Sequence, residues 1–344
     1  GPLISVVMPA RNVEKFIGEA IESILVQTLS DFELIIINDG STDKTLCIID
    51  SYAKRDDRIV VITRENKGLV DSRNEGIQKA KGEYIAKMDA DDISLPDRFE
   101  KQIKLMKKKN LDVCGAYIQE FNESSQNIRQ WYYPLKDQDI KFTLMFMCAF
   151  AQPVVMMKKR IFDLLQYCDS FPYAEDYKLW TDIAKNNFSM GNLNEVLLKY
   201  RIHNKQTVNI YNEKISDLSM QIASEYRNVI LDRDVVDLFY KYECLSVKEL
   251  KCVYEVLQQK AEKENVSNQV LARIGMHILT INKNISMRLY FVYWTFMRKY
   301  IKLNTREIQL FLQAIFCLTK DSNAYVFFKK FIYNFKFKIR SLYI

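Results

Sequence analysis

The chain has 344 residues, 48% of them hydrophobic and 27% charged, which is the make-up of a globular protein and excludes global disorder. With only 9 glycines and 6 prolines it is neither collagen-like nor a proline-rich linker, and its length suits one large α/β domain plus an appended region. The formal charge of +7 is uneven: from Arg273 onward 13 Lys and Arg face 2 acids, a net of +11, while the first 272 residues hold 37 bases and 41 acids, a net of −4.

Residues 4–8, Ile-Ser-Val-Val-Met, read as a short buried strand that ends at Pro9. A helix follows, with Asn12 as its cap and Val13, Phe16, Ile17, Ala20, Ile21, Ile24 and Leu25 spaced three and four apart. Residues 33–37 form a second strand, 42–53 a helix, 59–63 a strand, 69–80 a helix and 83–88 a strand that stops at Asp89-Ala90-Asp91-Asp92. Pro96 opens a helix over 96–109 at its first turn, and 112–118 is a further strand. The section 119–210 is less regular, with a helix from Glu175 to about Asn186 and a strand over 195–202 before His203. Beyond 211 the pattern is helical, with candidates at 211–231, 246–264, 267–282, 286–302, 305–319 and 322–340.

Strands alternating with helices mean βαβ units and a mostly parallel sheet. Ligands bind such sheets beyond the carboxyl ends of the strands. Asp39 and the Asp89–Asp92 cluster both fall there. No run of 18 residues lacks a charge, so no conventional transmembrane helix is expected. Nor does a charged start followed by an apolar stretch announce a secretory leader, and Gly1-Pro2 is set aside as a cloning remnant. Seven cysteines without CxxC or zinc spacing read as reduced thiols in a reducing compartment.

Asp89, Asp91 and Asp92 place three carboxylates in four residues, which repel unless neutralised. Without Cys ligands nearby, the matching cation is Mg²⁺ or Mn²⁺, whose shell substrate phosphates complete. Asp39, between Asn38 and Gly40-Ser41, reads as a solvated turn acid or as an acceptor for a uracil N3–H or a ribose hydroxyl. Arg73, in the run from Asn66 through Gly68, reads as a solvated helix-start base or as a nucleotide or phosphate contact. Glu175-Asp176 is flanked by Phe171, Tyr173, Tyr177 and Trp180. The pair either complements a helix N-terminus or, with its carboxylate pKa lifted by aromatic neighbours, supplies a general base. The same aromatics are candidates for a platform under a sugar ring. His203 is either structural or a further ligand to a metal begun at Asp91. His277 is assigned no role.

Ile4-Ser-Val-Val-Met-Pro9, Asn38-Asp-Gly-Ser-Thr-Asp43, Gly82-Glu-Tyr-Ile, Asp89-Ala-Asp-Asp, Glu175-Asp176 and Tyr200-Arg-Ile-His203 occur in an order and at a spacing that resemble family 2 inverting glycosyltransferases. The family has the GT-A fold, a Rossmann-like, mostly parallel sheet flanked by helices. The resemblance covers about residues 3–210. Gly82-Glu-Tyr-Ile-Ala-Lys-Met-Asp-Ala-Asp-Asp-Ile-Ser-Leu-Pro-Asp97 and Ala174-Glu-Asp-Tyr-Lys-Leu-Trp180 further resemble bacterial lipooligosaccharide β-1,3-N-acetylglucosaminyltransferases. Capsule and O-antigen galactosyltransferases share much of this pattern.

The resemblance implies a catalytic domain over 3–210, with a nucleotide half to about 118 and an acceptor half beyond. A helical region over 211–344 would follow. It implies a UDP-sugar donor lined by Pro9, Ala10, Arg11 and Asn12, with Asp39 on the uracil, Asn66, Gly68 and Arg73 along the nucleotide, Asp89 near the ribose or the metal shell, and Ala90 among the donor-binding residues. Asp91 would ligate Mn²⁺ or Mg²⁺, with His203 as a further metal or diphosphate contact. Asp176 would be the catalytic base, with Glu175 beside it for sugar hydroxyls. Arg11 stands where many members carry Tyr, so it would stack on the uracil as a guanidinium or turn outward. The implied activity is inverting transfer of a hexose or N-acetylhexosamine, with GlcNAc in a β-1,3 linkage as the first choice, to a glycan or glycolipid such as lipooligosaccharide. A galactosyl or other hexosyl transferase is the rival. A catalytically silent sugar-nucleotide-binding assembly protein is the rival of another class, against which Asp91, Asp176 and His203 all speak.

The last seventy residues interleave aromatics with bases, as in Tyr290-Phe-Val-Tyr-Trp-Thr-Phe-Met-Arg-Lys-Tyr300. Such a helix suits an anionic membrane interface, where lipid-linked acceptors reside, or a bundle whose bases are merely solvated. The first reading places the protein in the cytoplasm, peripheral on the inner face of the cytoplasmic membrane. No nucleic-acid recognition motif accompanies the bases.

Overall fold

The structure, a computed structural model, describes residues 1–203, 211–231 and 245–281, with single positions at 236, 239, 292 and 295. Contacts divide the chain into two units, Gly1–Tyr226 and Arg227–Ile344.

The first unit is α/β. Its strands are β1 (Ile4–Ala10), β2 (Phe32–Asp39), β3 (Ile59–Arg64), β4 (Tyr84–Lys87), β5 (Ile93–Ser94), β6 (Val113–Asn122), β7 (Asn127–Trp131), β8 (Met156–Lys158) and β9 (Met190–Ile202). Between them run α1 (Ile17–Leu25), α2 (Thr45–Ala53), α3 (Leu69–Lys79), α4 (Arg98–Lys109), α5 (Asp137–Thr143) and α6 (Glu175–Lys185). Eight strands follow the order β3-β2-β1-β4-β8-β6-β9-β5, and β7 pairs with β6. The ladders β1–β2, β1–β4, β2–β3 and β6–β9 are parallel and hold most of the paired residues. The expected mostly parallel sheet is therefore present.

Residue type explains the placement. Every residue of β2 is buried, as a strand covered on both faces requires, whereas β3 at the sheet edge mixes buried and exposed positions. Ile4, Val6 and Met8 of β1 pack against Ile17, Ile21 and Ile24 of α1 and Phe99 and Ile103 of α4. Each such buried aliphatic side chain contributes about 1.5–3 kcal/mol. α3 lies against β1 and β2. α4 ends on Asn110 in the left-handed region, with Lys107, Lys108 and Lys109 in its last turn facing the negative end of the helix dipole.

Three local expectations change. β1 does not stop at Pro9: Pro9 and Ala10 stay in register with Ile37 and Asn38. β4 pairs with β1 only as far as Val7, so the N–H that proline lacks is not needed there. Asn12 does not cap α1, which begins at Ile17. It sits at φ 52° and spends its side chain across the loop, its Oδ1 accepting the Thr42 N–H at 2.8 Å. Pro96 lies two residues before α4, and Asp97 occupies the N-cap position.

Helix α7 (Asn212–Ile230) crosses the boundary between units. The described residues of the second unit lie chiefly in α8 (Val247–Lys263) and α9 (Asn268–Ile281). Ser246 and Glu249 form a reciprocal capping box at the start of α8. Tyr254 donates to the Gly275 carbonyl at 3.0 Å, beside buried Leu250, Leu257, Leu271 and Ile274. Apart from the single positions 292 and 295, the helices expected over 286–302, 305–319 and 322–340, and with them the aromatic and basic tail, lie outside the described residues. Among the described residues no helix is long and apolar enough to cross a membrane.

Candidate active site

Parallel packing of β1, β2 and β4 brings their carboxyl ends to one edge, where three groups of polar residues meet. Asp39, the last residue of β2, is buried and holds the next βα loop. Its Oδ1 accepts the Lys67 N–H at 2.9 Å and its Oδ2 the Gly68 N–H at 2.9 Å, while Arg64 Nη2 lies 3.2 Å from Oδ1. Asn66 Oδ1 accepts the same Gly68 N–H at 3.2 Å. Gly68 has φ 96° and Gly40 φ 68°, conformations that a side chain disfavours, and a Cβ on Gly40 would meet the Asn66 nitrogen at 2.7 Å. The loop after β1 is stitched to the loop after β2 by the Asn12 N–H on Ser41 Oγ, the Val13 N–H on Thr45 Oγ1 and the Glu14 N–H on Asp43. Pro9, Ala10 and Asn12 thus stand at the end of β1, beside the loop after β2, and Asp39 ties the turn of Asn66 and Gly68 to the end of β2. Arg11 is exposed.

The acidic turn does not act as one cluster. β5 pairs with Leu198 and Lys199 of β9, so β9 runs on beside Asp91 and Asp92 and delivers His203 to them. His203 Nε2 lies 3.0 Å from Asp91 Oδ2, and the imidazole stacks on Phe16 with centroids 5.1 Å apart. Arg201 secures this register: its N–H reaches Asp92 Oδ1 at 2.9 Å, its Nε the Asp91 carbonyl at 2.8 Å and its Nη2 Glu19 at 2.6 Å. Asp92 is fully buried, and its Oδ2 has no hydrogen-bond partner. Burial, together with the Asp91 and Asp89 charges, pushes its carboxyl well above the usual range. The expected convergence of three carboxylates is thus corrected, because Asp92 faces the protein interior. Among the described residues no group of three or more His, Cys, Asp and Glu could hold a metal ion. Asp91 and His203 do fit a divalent cation as an oxygen and a nitrogen donor, with the remaining positions left to substrate oxygens.

The third group gathers around Arg73 of α3. This side chain is buried, pairs with Glu175 through Nη1, and lies 3.9 Å from Asp89 through Nη2. Burial works against its charge, but Glu175 and the neighbouring acids outweigh that and keep the guanidinium protonated. Burial also raises the Asp89 carboxyl, with Arg73 opposing. Glu175 and Asp176 begin α6, where the helix dipole favours acids. Asp176 Oδ1 accepts the Tyr177 N–H at 2.7 Å. Burial and then the Glu175 charge push its carboxyl up to about 6, against Arg73 and that hydrogen bond. A carboxylate so placed is ionised at neutral pH yet more basic than a solvated one.

Of the four flanking aromatics, Phe171, Tyr177 and Trp180 are core residues, and Tyr177 donates its hydroxyl to the Leu144 carbonyl at 2.7 Å. Only Tyr173 of the four lies outside the core, half-buried, so the expected platform of four rings is not present. Lys87 and Tyr167 were not foreseen. Lys87 ends β4, is 1% exposed, has no hydrogen-bond partner, and stands 4.9 Å over the Tyr167 ring that Arg73 also approaches at 5.4 Å. Its signal was a charge inside the otherwise apolar run Tyr84-Ile-Ala-Lys-Met88.

Residues 5–164 match the glycosyl transferase family 2 profile. An uncharacterized glycosyltransferase of Haemophilus influenzae is 30% identical over 328 residues, covering 91% of this chain and 98% of that protein. The O-antigen biosynthesis glycosyltransferase WbnJ of Escherichia coli is 40% identical over 210 residues, 60% of this chain and 82% of WbnJ. The fold is that of S. aureus TarS 1-349, solved in complex with UDP-GlcNAc, at TM-score 0.55 and 17% identity over 86% of this chain and 91% of that one. The sheet order thus has the GT-A arrangement, and the near full-length match decides the family: the chain belongs to glycosyl transferase family 2 and is a glycosyltransferase.

Proposed function

We propose that the protein is an inverting glycosyltransferase that moves a hexose or N-acetylhexosamine from a UDP-sugar to a bacterial cell-surface glycan, with Asp176 as the base. Asp176 carries the reading: a carboxyl raised to about 6, beside a buried Glu175–Arg73 pair, on the edge where parallel strands end. Its carboxylate takes the proton of an acceptor hydroxyl, leaving the oxygen to attack the anomeric carbon from the face opposite the departing UDP. Glu175, fixed by Arg73, presents its remaining lone pairs to sugar hydroxyls. Arg73, which lies 3.9 Å from Asp89, adds positive charge that favours the anionic donor. Asp91 and His203 would hold Mn²⁺ or Mg²⁺, which when bound supplies positive charge beside the leaving diphosphate. Pro9 to Asn12 and Asp39 would frame the uracil.

The donor choice draws on TarS, solved with UDP and with UDP-GlcNAc, which supports UDP-GlcNAc as the first donor to try. The similarity to WbnJ, an O-antigen biosynthesis glycosyltransferase, supports a surface glycan of the O-antigen or lipooligosaccharide kind as the acceptor. Galactose or another hexose is the second donor choice. Residues 3–210 would form the catalytic domain, and 211–344 a helical region whose bases hold the enzyme peripherally on the inner face of the cytoplasmic membrane. The test is UDP release from a panel of UDP-sugars with oligosaccharide acceptors in Mn²⁺ and in EDTA. Release specific to one sugar and lost in EDTA supports the reading; no release with any UDP-sugar overturns it.

A further inference from the structure

Tyr173 lies three residues before Asp176 and has φ 72°, the left-handed region that a tyrosine rarely adopts. Its ring stacks on Tyr211, centroids 4.1 Å apart and planes 9° apart. Lys214, one helical turn beyond Tyr211, brings its Nζ to 5.4 Å from the Tyr173 ring. Tyr211 is 40% exposed, a large fraction for an aromatic ring already stacked on another. The other aromatics near the acid pair are consumed by the core. A strained backbone three residues before Asp176 that keeps one half-buried ring out of the core and stacks it on a second, exposed ring is a costly arrangement for packing alone.

We propose that the Tyr173–Tyr211 stack is the acceptor subsite and that it takes a pyranose ring of the acceptor glycan. This rests on Asp176 being the base of a glycosyl transfer. The chemistry matches on three counts. The C–H face of a pyranose packs on a flat aromatic surface, and the outer face of Tyr211, backed by the Tyr173 ring, offers a rigid one with few rotatable bonds to fix. The phenol hydroxyls add hydrogen-bond partners for sugar hydroxyls. The stack belongs to the segments before α6 and at the start of α7, whereas the groups that suit a nucleotide sit on the β1, β2 and β4 ends, so donor and acceptor meet from different elements at Asp176.

The test uses the full chain, the UDP-sugar found active, and methyl β-D-galactopyranoside and methyl N-acetyl-β-D-glucosaminide as acceptor probes. Tyr211→Ala is expected to raise the acceptor KM about tenfold, near 1.4 kcal/mol, while the donor KM changes less than threefold. Tyr211→Trp and Tyr211→Phe, which keep a flat ring, should stay near the wild-type acceptor KM. Tyr173→Gly, which removes the ring but suits the backbone angle, should match Tyr211→Ala. An acceptor KM unchanged in both Tyr211→Ala and Tyr173→Gly would overturn the subsite while leaving the transfer reading intact. Equal rises in donor and acceptor KM would also overturn it, since they would report a general disturbance. Wild-type protein that releases no UDP from any donor would instead sink the transfer reading, and the subsite with it.

Discussion

Asp91 Oδ2 and His203 Nε2 lie 3.0 Å apart although 112 positions separate them in sequence. The two-residue strand β5 creates this meeting, because its pairing with Leu198 and Lys199 leaves β9 in register to pass the acidic turn. On the proposed function, this carboxylate and imidazole are the pair that would hold the divalent cation.

Removing either ligand should therefore act on the donor and not on the fold. Asp91→Ala and His203→Ala are expected to weaken Mn²⁺-dependent UDP binding by about 10–100-fold, the scale seen when a metal site loses support. Isothermal titration with UDP in Mn²⁺ and in EDTA reads this directly. Affinity equal to wild type in Mn²⁺ would remove both residues from the metal site.

Asp176 ties stability to pH and, as the proposed base, should tie activity to it as well. Its folded pKa of about 6 lies above the ordinary 3.8, so the folded state binds more protons than the unfolded state between those values. Its contribution to stability is thus fully present below about pH 4 and is lost as pH rises through about 6. Asp176→Asn should then melt several degrees higher than wild type at pH 7.5, with the gap closing below pH 4. Calorimetric scans across that range check the sign.

The Arg73–Glu175 pair is buried on both sides. Glu175→Ala strands the guanidinium, and breaking such a pair costs about 3–5 kcal/mol. Arg73→Met combined with Glu175→Leu should cost less than the two single changes together. Urea midpoints of the three variants give the coupling.

Lys87 has the opposite signature. Burial and then Arg73 hold its amine well below the ordinary 10.5, so between its folded pKa and 10.5 the unfolded chain binds the extra proton and stability rises with pH. Lys87→Met removes an unpartnered buried amine and should raise the melting temperature at pH 7, by less near pH 10. A fall in melting temperature at pH 7 would show that the amine has a stabilising partner.

Much of this was legible in the chain. Alternating apolar runs and three-four spacing located the helices and strands of the nucleotide half to within a few residues. The acids after the strand ends marked the site edge. Pro9 misled because proline reads as a stop, whereas a strand with one unpaired side tolerates it. Asn12 misled because the same side chain that caps helices also bridges loops at positive φ. β5 is two residues long and leaves no period to read. The inward turn of Asp92 follows from Arg201, 109 positions away, and no local pattern carries that pairing. The aromatics around Glu175-Asp176 were all equal in sequence, and only the fold separates Tyr173 from the three core rings.

The most direct measurement is kcat/KM against pH for wild type and Asp176→Asn, with UDP-sugar affinity measured in parallel. The expected wild-type profile rises with unit slope to a plateau above an apparent pKa near 6. Asp176→Asn should lose about 10²–10⁴-fold in rate while binding the donor as tightly as wild type. Near-normal turnover by Asp176→Asn would contradict the assignment of Asp176 as the base.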